Sequence, residues 1–281
     1  GGTGPYDMEN LPGLTAVTIG AALAADADIT NAVADTTVTL NAEESTDLVL
    51  GNALTYALAD ATGTEDAISL TLNALDGNDD TVADGIVTVD DLTADDIETF
   101  NIVSNVAEID DEITNLDYTN LISALAGDAV ETINVSGNAN LEITALTAAA
   151  LNKIDANTLT GALTVDASAA DGVEFIGGAG NDDYTGTAGG DTITGGAGAD
   201  LIALGAGAVD TIILNAATDS QLNATVDGHD LITAFGVAGQ LDVIDVGIEG
   251  FTGQQTSALA NKGALAPTVV DGSTLSVADF F

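Results

Sequence analysis

Along the second half of the chain, single large apolar residues recur among polar neighbours: Ile133, Ile143, Ile154, Val165, Phe175, Tyr184, Ile193, Ile202 and Ile212, at steps of nine to eleven residues. The segments around them are built from Val, Ile, Leu and Ala interleaved with Thr, Asp and Asn, a composition that suits short β-strands. Each is too short to bury a face by itself. A fixed period of such segments therefore predicts stacked coils around one continuous core, a solenoid. The fold class expected is all-β, with a parallel β-helix or β-roll at its centre.

Two internal echoes extend the pattern upstream. DIETFNIVSN (residues 96–105) matches AVETINVSGN (129–138), and TVTLNA (37–42) matches SLTLNA (69–74). The first half, residues 1–125, is thus expected to be β-rich but less regular, either a β-sandwich or a β-helix section. One or two short helices are expected near Thr119–Ala126 and residues 145–152. Residues 126–215 form the solenoid, with turns such as SGNAN (136–140) and NTLTG (157–161) made by ordinary Asn, Ser, Thr and Gly chemistry. Beyond it, DLITAF (230–235) and LDVIDV (241–246) read as strands of a C-terminal cap, residues 216–281, because an open last coil would expose an apolar face and unpaired backbone groups.

Charge narrows the chemistry. The 281 residues hold 45 Asp and Glu against two basic residues, Lys153 and Lys262, for a formal net charge of -43. Such a surplus repels itself unless cations neutralise it. Nucleic acid and anionic membranes are poor partners, since both select Lys and Arg, and no apolar run approaches the roughly 20 residues of a membrane helix. There is no cysteine and a single histidine, His229, which excludes thiolate chemistry, disulfides and the usual zinc cages. The chain opens on GGTGPYDMEN, without an initiator Met or a leader, and reads as a processed form or a fragment.

The step settles to nine where glycine is densest. Aligned, the block reads GGAGNDDYT (177–185), GTAGGDTIT (186–194), GGAGADLIA (195–203) and then LGAGAVDTII, with one residue inserted before Asp210. This resembles the RTX nonapeptide repeat of calcium-binding secreted proteins, G-G-x-G-x-D-x-U-x with U a large apolar residue. The resemblance implies a β-roll over residues 177–213 whose turns bind Ca2+ through Gly178, Gly180, Asp182, Gly189, Asp191, Gly196, Gly198, Asp200, Gly207 and Asp210. The chemistry is coherent: glycine lets carbonyls face inward and the sixth-position carboxylate completes the all-oxygen shell that Ca2+ prefers. In the family two nonapeptides make one coil, which implies that Asp182 pairs with Asp200 and Asp191 with Asp210. Two departures stand out. Thr187 replaces a glycine, and the insertion at Ala208 and Val209 displaces Asp210.

Other acidic stretches fit a site less well. DGNDD (76–80) has the spacing that opens an EF-hand, but Thr81 and Val87 stand where glycine and a bidentate Glu are required. It is either an irregular calcium loop or a solvated turn. IDDEI (109–113) and VDDLTADDIE (89–98) read as solvated faces and His229 as a turn residue. No HExxH, GxSxG, Walker loop or cysteine nucleophile is present, so no enzyme is expected.

Within the RTX group, the scarcity of Lys and Arg and the ETINVSG and LTVDAS coils leading into few nonapeptides look like the S-layer proteins of Gram-negative bacteria. SVADFF (276–281) resembles the uncleaved C-terminal signal read by type I exporters. That likeness implies a secreted, cell-surface structural protein whose partners are copies of itself in a calcium-dependent lattice, with cell-surface polysaccharide held through a region outside this sequence. Its alternatives are an RTX adhesin or matrix-fibre subunit, and the non-catalytic C-terminal part of an RTX hydrolase.

Overall fold

The computed structural model describes residues 6–9, 13–20, 27–42, 48–76, 85–108, 118–215, 221–222, 227–228, 230–236 and 242–246. Most of its strands alternate between two parallel sheets, and Gln221–Leu222 forms a separate antiparallel pair with Asp227–Gly228. Sheet 1 has 11 strands and runs from Tyr6–Asp7 to Leu231–Thr233; sheet 2 has 10 and runs from Ala16–Ile19 to Val243–Val246. Among the described residues there is no helix.

The apolar ladder of the sequence is two ladders, read alternately. Ile133, Ile154, Phe175, Ile193, Ile212 and Ile244 lie side by side across sheet 2, and Ile143, Val165, Tyr184, Ile202 and Ile232 across sheet 1. The side chains face each other between the sheets, where the Phe175 and Tyr184 rings stack at 4.3 Å. A strand such as Thr192–Thr194 contributes one buried side chain, Ile193, so its stability comes from the rungs on either side.

The internal echoes are stacked rungs. Thr37–Asn41 pairs in register with the start of Ala67–Asp76, and Thr99–Glu108 with Thr132–Gly137. Of the two expectations for the first half, the solenoid section is the one the chain adopts, and its strands belong to the same two sheets. The irregular spacing reflects coils of varying length. Upstream the distance between paired rungs varies, from 21 residues between Ala16 and Thr37 to 39 between Leu48 and Val87; it is 18 or 19 in the glycine-rich block and 30 or 32 in the last coil.

The expected helices are strands or turns. Thr119–Ala126 lies in sheet 1 between Val87–Thr93 and Asn140–Ile143. Its Leu121, Ala124 and Leu125 mimic helical spacing, but Asn120, Ile122 and Leu125 are the residues that point inward. In residues 145–152, Leu146 and Thr147 pair with Leu125 and Ala126, and a turn closed by the Leu151 N–H on Ala148 O follows. The alanines favour a helix locally, yet a strand satisfies the neighbouring backbone.

DLITAF and LDVIDV supply strands, Leu231–Thr233 and Val243–Val246, which add a further coil to the two sheets. Residues 77–80, 109–113, His229 and the SVADFF tail lie outside the described residues.

Candidate metal site

At both turns of the glycine-rich coils, the residue just before each short strand is a buried aspartate. On the sheet 1 side these are Asp182, Asp200 and Asp230, and on the sheet 2 side Asp191, Asp210 and Asp242, all at most 5% exposed. Register explains what is unusual about the first column. The positions beneath Asp182 in the two preceding coils are Leu163 and Leu141. Carboxylates therefore stack where a leucine is buried one coil earlier.

One hydrogen-bond pattern repeats up each column. Oδ1 of Asp182 accepts the Leu163 N–H at 2.7 Å, Oδ1 of Asp200 that of Asp182 at 2.8 Å, and Oδ1 of Asp230 that of Asp200 at 3.1 Å. On the other side Asp191 accepts from Val173 at 2.8 Å, Asp210 from Asp191 at 2.9 Å and Asp242 from Asp210 at 3.1 Å. The second oxygens of Asp182, Asp191 and Asp242 take the N–H of Gly178, Thr187 and Gly236 within their own turns. Oδ2 of Asp210 is buried and accepts none. The pairs implied by the nonapeptide alignment, Asp182 with Asp200 and Asp191 with Asp210, are adjacent members of these columns.

Backbone N–H groups do not remove the cost of burying so many carboxylates together. Burial pushes the Asp182 carboxyl up to about 7 against the opposing Leu163 and Gly178 N–H groups, and the charge of Asp200 adds to the rise. Burial likewise pushes Asp210 up to about 6, with the Asp191 N–H opposing it and Asp191 and Asp242 raising it further. Among the described residues no basic side chain reaches either column. Lys153 is engaged on the outer face with Asp155 at 3.2 Å and Glu174 at 3.4 Å.

The glycines of the predicted site are explained first by stacking. A Cβ on Gly178, Gly180, Gly189 or Gly207 would overlap backbone of the preceding coil, at Leu159, Gly161, Gly172 and Ala188 in turn. Gly196 and Gly198 also hold φ of 101° and 134°, which a side chain rarely adopts. Thr187 has a structural account too. Its hydroxyl donates to Asp191 Oδ1 at 2.7 Å and accepts the Gly172 and Gly189 N–H groups, so it holds that turn where a glycine could not. The insertion at Ala208 and Val209 bulges outward, with Val209 48% exposed, and leaves Asp210 in its column.

Two groups of residues escaped the sequence reading. Asp230 and Asp242 continue the columns beyond the last glycine repeat; their signal is the tetrad of Asp, any residue, Ile, any residue, shared by DTIT, DLIA, DTII, DLIT and DVID. The first glycines of the repeats, Gly177, Gly186 and Gly195, leave the space that the carboxylates of Asp182, Asp191 and Asp200 occupy, since a Cβ at each would meet the Oδ2 atom five residues on.

The donor set suits a hard cation. Carboxylate and carbonyl oxygens are the ligands Ca2+ takes, and each carboxylate oxygen retains a lone pair beyond its N–H bond. Among the described residues no three acidic or histidine side chains converge, so an ion here would have to draw on two carboxylates of stacked coils and on backbone oxygens. No family model matches this chain, and no curated protein and no solved structure matches it either.

Proposed function

We propose that this chain is a calcium-stabilised structural protein, exported to the cell surface of a Gram-negative bacterium, where copies of it assemble into an S-layer-like lattice. The observation that carries the reading is the pair of buried aspartate columns in a chain of net charge -43, with no basic side chain near them among the described residues. Asp182 with Asp200, and Asp191 with Asp210, would hold the ions together with carbonyls of the glycine turns; Asp230 and Asp242 extend both series. Bound there, Ca2+ neutralises the columns and cross-links successive coils.

The protein's own part is to bring these oxygens together only when the coils stack, which makes ion binding part of folding. No catalytic role is proposed. The resemblance of the turns to nonapeptide repeats supports secretion by a type I exporter and a surface location. The test is a calcium titration of the purified chain at fixed ionic strength, followed by light scattering and electron microscopy. Sheets at millimolar Ca2+ and monomers without it are expected. A chain that stays monomeric at every calcium concentration would falsify the lattice reading.

A further inference from the structure

The outward positions of sheet 2 carry no ionisable side chain over five consecutive strands, from Ala16–Ile19 through Thr37–Asn41, Ala67–Asp76 and Thr99–Glu108 to Thr132–Gly137, among the side chains described. One row across them reads Thr18, Thr39, Thr71, Val103, Ser136. Acidic residues stop at its border, as Asp35, Glu98 and Glu131 at the strand starts. Sheet 1 is different: Asp28, Asp90, Glu142, Asp166 and Asp183 all stand on its outward positions. A neutral field of this size is out of keeping with 45 acidic residues in the chain.

The field is also rigid. Asn73 donates to the amide oxygen of Asn41 at 2.7 Å, Asn105 to Asn73 at 3.3 Å, and Asn134 to Asn101 at 2.9 Å. These bonds fix the side chains in rows before any partner arrives, which lowers the entropy lost on contact.

We propose that this face of sheet 2 is where two copies of the chain meet, face to face. The inference rests on the self-assembly reading and names its surface. Two chains of net charge -43 repel wherever carboxylates are brought together. Contact through sheet 1 aligns such rows, whereas contact through this part of sheet 2 aligns hydroxyls, amides and methyl groups. At roughly 3.3 Å per residue and 4.8 Å per strand, the five strands present about 550 Å². Two such faces bury about 1,100 Å², just above the roughly 1,000 Å² expected of a biological contact. A contact of that size is weak as a single pair and suits an array that repeats it.

The chain has no cysteine, so single-cysteine variants of the full chain report the contact directly. With Ca2+ present, Thr71→Cys is expected to cross-link copy to copy on mild oxidation at least tenfold faster than Thr164→Cys, which lies exposed on sheet 1. The double variant Thr71→Asp, Asn101→Asp should weaken association at least tenfold in sedimentation while keeping the calcium-dependent circular dichroism of the parent, and Thr164→Asp should not. If the parent assembles and the double variant assembles equally well, this face is wrong and the self-assembly reading stands. If the parent never associates, both fall. A monomeric parent that binds an uncharged polysaccharide, and loses it in the double variant, would assign the face to a glycan and overturn the proposal.

Discussion

Asp182 gives its backbone N–H to Oδ1 of Asp200 at 2.8 Å, so each carboxylate of the column fastens the coil before it. Asp191 and Asp210 repeat the bond at 2.9 Å on the opposite turn. An aspartate placed this way does two jobs: it satisfies a buried donor, and it adds a buried negative charge to a stack of them. Substitutions at Asp200 separate the two.

Asparagine keeps the acceptor and removes the charge. Asp200→Asn is expected to retain the bond from Asp182 and to fold without Ca2+ as well as the parent or better, while losing most of the stabilisation by Ca2+. Asp200→Ala also leaves the Asp182 N–H buried without its acceptor, at a cost of about 1–3 kcal/mol. Urea melts of both variants with and without Ca2+ decide the matter. Equal calcium stabilisation of the asparagine variant and the parent would show that no ion sits on this column.

Removal of calcium should lower the β-content contributed by the glycine-rich coils, and Mg2+ should fail to restore it, because Mg2+ demands a smaller octahedral shell and gives up its water reluctantly. Circular dichroism and thermal melts in Ca2+, Mg2+ and chelator report this. A halophilic adaptation would instead show high NaCl or KCl stabilising the chain with Ca2+ dispensable.

The metal-free protein should become less stable as pH rises. The Asp182 carboxyl titrates at about 7 in the folded chain, above the usual carboxylate range, so the folded state holds a proton that the unfolded state has released. That contribution is fully present below about pH 4 and is lost as pH rises to about 7, with a slope of up to about 1.4 kcal/mol per pH unit for one such group. Asp210, at about 6, acts in the same direction over a narrower window. With saturating Ca2+ the slope should reverse, since protons then compete with the ion. Denaturant melts at pH 5.0 and 7.5, on protein stripped of metal and on protein in excess Ca2+, test this; parallel pH dependence in the two states would refute it.

Gly198→Ala should cost about 2 kcal/mol or more, because its φ of 134° disfavours a side chain and the new Cβ would overlap the Gly180 carbonyl. Gly20→Ala, where nothing lies within 4 Å of the added Cβ, should be tolerated. Chemical denaturation of the two variants provides the comparison.

How far the sequence could be read depended on the length of the coil. In the nonapeptide block a coil is two repeats, so the spacing of Phe175, Tyr184, Ile193 and Ile202 shows the stacking directly. Upstream the coil length varies, from 21 residues between Ala16 and Thr37 to 39 between Leu48 and Val87, and the variable loops hide the same stacking unless two rungs happen to share words, as TVTLNA and SLTLNA do. Thr119–Ala126 was misread because its apolar residues are compatible with both periods, and the partner strands chose between them. Asp230 and Asp242 were missed because the glycine pattern that flags the other four aspartates is incomplete before them, with Gly228 alone ahead of Asp230 and Gly236 and Gly239 out of register ahead of Asp242, although the same strand tetrad follows.

The sequence by itself determined the all-β solenoid, the inward apolar residue of each short rung and the aspartate at the turn, because these depend on local period and on chemistry within a few residues. Only the tertiary structure decided that the sheet 1 aspartates follow the column held by Leu141 and Leu163 in earlier coils, that the repeat glycines are required by the backbone of the preceding coil, and that the outward side of the first five strands of sheet 2 is neutral. Each of these is a relation between residues 18 to 33 positions apart, set by the register of parallel strands, which no local pattern records.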